Sequence, residues 1–142
     1  MLVKKFQEVY NIFKMNFYSS LCQNCNELSM QEAFSLDVIH MLGTPTILEY
    51  ANYMGISQPN ATYKINQMIQ KGFLLKTACM DDKRSFRLEV TQKFLDLYRI
   101  NDQFIEKSLN VIKSEFDENT LKNLESMLTS LNSKLKGENQ ND

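Results

Sequence analysis

The stretch Gly55–Phe73, "GISQPNATYKINQMIQKGF", decides the fold. Ser57 is a good helix N-cap, and Pro59 falls in the first turn, where its missing N–H costs nothing. Ala61, Ile65, Met68 and Ile69 recur at helical spacing as an inward stripe, and Gly72 ends the helix. The opposite face is unusual. Surface helices usually show Lys and Glu to water, but this one shows Gln58, Asn60, Thr62, Tyr63, Asn66 and Gln67, and no acidic residue occurs from Gly55 to Met80.

Working outward, Thr46 and Glu49 have capping-box spacing and start a short helix with Ile47, Leu48, Ala51 and Met54. Gly55 ends it, because glycine accepts the positive φ of a C-cap. A second box, Ser29 and Glu32, opens a helix from Met30 to about Leu42 that buries Phe34, Val38 and Met41 or Leu42. "GTPT" at 43–46 stops it. Upstream, Phe6, Tyr10, Phe13, Phe17 and Leu21 form a helical stripe that Asn24 to Glu27 interrupts. After Gly72 the period changes. Phe86, Leu88 and Val90 alternate with polar residues, as in a half-buried strand, and pair with "FLLKTA" across the polar tip Met80–Lys83. Two long helices follow, one from near Thr91 and one from near Asp117; the second carries Leu121, Leu124, Leu128, Leu131 and Leu135. The tail "GENQND" is expected to fray.

Composition agrees with a mainly α fold. Among 142 residues there are only 4 Gly and 2 Pro, too few for the turns of an all-β protein. No apolar run approaches the roughly 20 residues of a membrane span, and polar residues interrupt "MLVKKFQEVYNIF", a poor secretory signal. Three cysteines make no disulfide framework, so a cytoplasmic location is expected. The net charge is −1, but Ser57–Lys93 holds seven basic residues (Lys64, Lys71, Lys76, Lys83, Arg84, Arg87, Lys93) against three acidic ones. That segment is +4 and the rest −5, an arrangement that turns one face toward phosphates.

Two short helices around a glycine turn, the second polar outside, describe a helix-turn-helix; the hairpin adds a wing. A helix in the major groove meets base edges that donate and accept hydrogen bonds, so amides and hydroxyls suit it better than carboxylates. The candidate DNA-binding residues are Ser57, Gln58, Pro59, Asn60, Thr62, Tyr63, Lys64 and Asn66 of the helix, with Lys83, Arg84 and Arg87 of the wing. The first helix and the last two are too apolar to pack solely on the central lobe, and the leucine ladder needs a partner surface. An isologous dimer supplies one; packing of the ladder within the chain is the other solution.

The stretches "TILEYANYMGISQPNATYKINQMIQKGFL" and "DDKRSFRLEVTQ" resemble the MarR family of winged-helix transcription regulators, most clearly in Ser57-Gln58-Pro59, Thr62, Gly72 and Asp82-x-Arg84 leading to Val90-Thr91. The resemblance covers about Gln31 to Thr91. It implies a homodimer joined by helices from both chain ends, residues 1–28 and 93–142, around a DNA-binding lobe at 29–92. It further implies that two recognition helices enter successive major grooves of a pseudo-palindromic operator, and that Arg84, held by Asp82, enters or lines the minor groove. Tyr63 stands where the family often has Arg, Phe94 where it usually has Gly, and Cys79 where an acidic residue is common.

What such a regulator senses is open at this level. Cys22-x-x-Cys25 allows a redox-responsive repressor, or is a structural pair. His40, the only histidine, lies on a helix dominated by apolar neighbours, so no metal and no cofactor are expected. Phe13, Phe17, Met30 and Phe34 are candidates for a pocket taking a small apolar effector, and "LSMQEAFSLDVIHMLG" resembles the branch of the family that represses fatty-acid synthesis genes. There is no Gly-rich phosphate loop, no nucleophile elbow and no clustered carboxylate pair outside surface helices to support an enzyme. A winged helix that docks a protein instead of DNA is the competing class.

Overall fold

The computed structural model of the protein describes residues 1–24, 26–82 and 84–138. Its order is α1 (Leu2–Asn24), α2 (Met30–Met41), α3 (Ile47–Met54), α4 (Gln58–Gln70), β1 (Leu74–Ala78), β2 (Phe86–Val90), α5 (Gln92–Glu115) and α6 (Glu118–Glu138). The chain divides into two compact units, Met1–Asp102 and Gln103–Asp142. The fold is mainly helical with one antiparallel hairpin, a winged helix-turn-helix.

Both capping boxes form. Glu32 N–H donates to Ser29 Oγ at 3.2 Å while Ser29 N–H donates to Glu32 Oε2 at 2.8 Å. The Thr46 and Glu49 pair repeats this at 3.1 and 2.7 Å. Gly55 takes φ 64°, and the amides of Gly55 and Ile56 return to Asn52 and Ala51, closing α3 before the chain turns into α4.

The first unit is built around Leu36, Val38, Ile39, Tyr50, Ala51, Ala61, Ile65, Met68, Phe73, Leu74, Leu88 and Phe94, contributed by α2 through the start of α5. Burying each large apolar side chain contributes roughly 1.5–3 kcal/mol. The stripe of α1 deepens along the helix: Phe6 and Tyr10 are exposed, Phe13 and Phe17 half-buried, and Leu21 buried. The face of α2 departs from expectation. Val38 is buried, but Phe34, Met41 and Leu42 are exposed, and Ala33, Leu36 and Ile39 point inward instead. Apolar residues run almost around α2, so spacing alone selects no face. Tyr50 is the unexpected core residue; its hydroxyl is 2.9 Å from Ser35 Oγ, which satisfies both buried oxygens.

The hairpin pairs Leu74 with Val90, Lys76 with Leu88 and Ala78 with Phe86. Leu88 is buried, with Phe86 and Val90 half-buried, the alternation expected. Its open end is closed by Thr91, whose N–H donates to Phe73 O and whose hydroxyl donates to Gly72 O at 2.6 Å.

In the second unit, Leu121 and Leu124 are half-buried and, with Leu109, Ile112 and Leu128, line an open groove of about 650 Å³. Leu128, Leu131 and Leu135 remain exposed. Asp117 caps α6: hydrogen bonds with the side chain and amide of Thr120 hold its carboxyl below the usual range. Helix α6 runs through Gly137 and Glu138, further than the expected frayed tail; 139–142 lie outside the described residues. Among the described residues no helix is long and apolar enough to cross a membrane.

Candidate nucleic-acid interface

The start of α4 is fixed locally. Ser57 Oγ accepts from Asn60 N–H at 3.3 Å, and Pro59 sits in the first turn. With Ala61, Ile65 and Met68 fully buried, the helix can turn only one way, and Ser57, Gln58, Pro59, Asn60, Tyr63 and Asn66 face outward. Thr62 is half-buried and spends its hydroxyl proton on Gln58 O at 2.9 Å, leaving its oxygen to accept. Tyr63 is 63% exposed and takes a hydrogen bond from Gln67 Nε2 at 2.9 Å. Gln67 was outside the candidate set; its four-residue spacing from Tyr63 is the signal that could have included it. Lys64 is half-buried and lines a shallow groove of about 280 Å³ against Ser29, Gln31 and Glu32.

The wing tip is tied by its own backbone. Asp82 Oδ1 accepts from the Arg84 amide at 2.9 Å, Ser85 N–H donates to Asp82 O, and Cys79 N–H donates to Ser85 O. Asp82 thus meets Arg84 through the main chain, leaving the exposed guanidinium to point elsewhere. Lys83, a candidate contact, lies outside the described residues. So does Cys25, and Cys22 is described only in its backbone, so the redox pair is outside the described side chains.

The basic residues of the segment are not equivalent. Lys71 Nζ is 2.8 Å from both carboxylate oxygens of Glu32. Burial opposes the Glu32 charge, yet Lys71 and the Ser29 cap outweigh it and hold the carboxyl below the usual range. Lys93 Nζ meets Glu27 Oε2 at 2.6 Å and Lys71 O at 3.0 Å, and stands 4.3 Å over the Phe73 ring. Arg87 Nη1 donates to Thr44 O at 2.8 Å, and Lys76 lies over Phe86. Lys64 and Arg84 have no ion-pair partner among the described residues. The free positive charge of this face is therefore narrower than its count of basic residues.

Of the proposed effector residues, Phe13 and Phe17 are half-buried on α1. Phe17 packs against Tyr98, edge-on at 6.0 Å, whereas Met30 and Phe34, one turn apart on α2, are 44% and 46% exposed. His40 stacks edge-on to Tyr98 at 4.7 Å, close to Asp37.

Comparison with solved structures agrees with the geometry. The transcriptional regulator Tm0710 from Thermotoga maritima superposes with a TM-score of 0.70 at 16% identity, covering 99% of this chain and 98% of that one. A mutant of MepR from a multidrug resistant S. aureus clinical isolate gives 0.68 at 14% identity, with 95% and 97% covered. Streptococcus pneumoniae FabT, solved in complex with DNA, gives 0.63 at 17% identity, with 96% of each chain covered. At these identities the likeness is one of fold. The model of the MarR family matches residues 28–86, the segment that holds α2, the helix-turn-helix and most of the wing. Over that segment the chain is similar to the MarR family.

Proposed function

We propose that this protein is a homodimeric, sequence-specific regulator of transcription that binds double-stranded DNA, a repressor released by a small apolar effector. The observation that carries this is the outward face of α4, exposed, acid-free and rich in amides and hydroxyls, together with an exposed wing arginine, Arg84, that has no ion-pair partner among the described residues. Asn60 and Gln58 have the groups that pair with adenine, and Tyr63 and Asn66 extend the same face. Arg84, exposed at the tip, is suited to the negative potential of a minor groove. Two such helices related by a two-fold axis would read half-sites about one DNA turn apart. That FabT was solved with DNA supports the same use of the fold.

The effector would act by changing the separation of the two recognition helices, so that both no longer fit. The apolar surface at Met30 and Phe34, with Phe13 and Phe17 of α1, is the site we assign to it.

The test starts with selection of duplexes from a random pool and titration of the winner. A palindromic consensus bound by a dimer is expected, with affinity falling steeply as salt rises. Arg84→Ala and Asn60→Ala should each weaken binding by roughly 10- to 100-fold, the scale of a lost base or groove contact, with the dimer intact. Unchanged affinity in both would sink the DNA reading and favour a winged helix that docks a protein.

A further inference from the structure

Arg87 looks from the sequence like a third wing residue for DNA, yet its exposed side chain is held by the protein's own backbone. Nη1 donates to the Thr44 carbonyl at 2.8 Å, across 43 residues of chain. On the same edge Leu88 N–H donates to Pro45 O at 2.8 Å, and Arg87 forms an isolated bridge with Thr46. Strand β2 is thereby held on both sides, by β1 on one and by the turn before α3 on the other. This second edge matters because a two-stranded hairpin is marginal alone. The main-chain bonds of the tip then carry the position of Arg87 forward: Ser85 is tied to Cys79 and Asp82, and the Arg84 amide to Asp82.

We propose that Arg87 is a positioning residue that tethers the wing to the Thr44–Thr46 turn and so fixes where Arg84 reaches, instead of holding a phosphate itself. A charge-assisted hydrogen bond to a carbonyl is stronger than a neutral one, and a planar guanidinium holds its direction better than an ammonium would. The turn that Arg87 grips leads directly into α3. Along this edge the wing and the helix-turn-helix are therefore joined by the Arg87 side chain as well as by the Leu88–Pro45 main-chain bond.

This inference rests on the DNA-binding reading, and a double-mutant cycle separates the two. The selected duplex is titrated with the unaltered protein, Arg84→Ala, Arg87→Met and the double variant, methionine keeping the apolar stem. Amide exchange of Leu88 is followed without DNA. If Arg87 acts through Arg84, Arg87→Met weakens binding roughly tenfold, and in the Arg84→Ala background it costs no more than about twofold. Leu88 exchange rises in Arg87→Met, while the amides bonded between β1 and β2 stay protected. Additive losses would make Arg87 a direct contact and overturn the proposal, as would unchanged affinity in Arg87→Met. An unaltered protein that selects no duplex overturns the DNA reading and the positioning role together; Leu88 exchange then judges the tether by itself.

Discussion

Asp37 is poorly matched to its surroundings. Its Oδ1 is buried with no hydrogen-bond partner among the described residues, on a helix whose neighbours Leu36 and Val38 are core. Burial pushes its carboxyl pKa up, and nearby His40 and a hydrogen bond with Tyr98 offset this only in part. Tyr98 is raised in turn, by burial first and then by Asp37 and Asp102. An acid whose folded pKa lies above its unfolded one costs stability when ionised; the cost is present at neutral pH and fades as pH falls through the folded pKa. Asp37→Asn should therefore stabilise the protein by about 1 kcal/mol at neutral pH, roughly 2–4 °C in melting temperature. Calorimetry from neutral pH down into the carboxylate range should show that gain shrinking. A constant gain would assign the effect to shape and not to charge.

At the scale of the element, the features legible in the sequence were those closed within a few residues. The Ser29 and Thr46 boxes, the Ser57 cap and the Gly55 turn each involve partners three or four positions apart, so spacing alone revealed them. The inward face of α2 was not legible, because apolar residues surround that helix and only the packed core selects among them. Nor were the partners of Lys71, Lys93 and Arg87, which lie 39, 66 and 43 residues away in the chain. In sequence these are three equal positive charges; in the fold they are a strut between α2 and α4, a clamp at the root of α5 and a tether for the wing. Gly55 isolates the local contribution well. A Cβ there would meet nothing within 4 Å, so the cost of Gly55→Ala comes from φ 64° alone. That strain is about 1–2 kcal/mol. Urea unfolding should show a lower midpoint with an unchanged slope; no loss would mean that the turn relaxes to another conformation.

For the molecule as a whole, the apolar surface left uncovered is what the proposed homodimer would bury. Leu2, Val3, Phe6, Val9 and Tyr10 of α1 are all more than half exposed, and Met127, Leu128, Leu131 and Leu135 of α6 are exposed as well. Scattered single residues would need no explanation, but helical stripes at both ends of the chain resemble halves of an interface. The ladder of α6 shows the division of labour within one helix: Leu121 and Leu124 are half-buried at the groove shared with the end of α5, Leu128 borders that groove and is 50% exposed, and Leu131 and Leu135 are exposed beyond it. Intrachain packing accounts for the first pair and leaves half of Leu128, with much of Leu131 and Leu135, uncovered. Replacing Leu128 and Leu131 together by Glu should shift the protein from dimer to monomer in sedimentation at micromolar concentration, because a buried, unpaired carboxylate is costly at a two-fold contact where each substitution counts twice. Helix α4 and the wing are untouched by the change, so each monomer should keep its half-site contacts. Affinity for the full operator should nevertheless fall by 100-fold or more on the order of magnitude that linking two sites provides, while Arg84→Ala loses affinity and stays dimeric. A Leu128→Glu, Leu131→Glu protein that still sediments as a dimer would move the interface to α1, where Phe6→Glu with Tyr10→Glu is the corresponding pair.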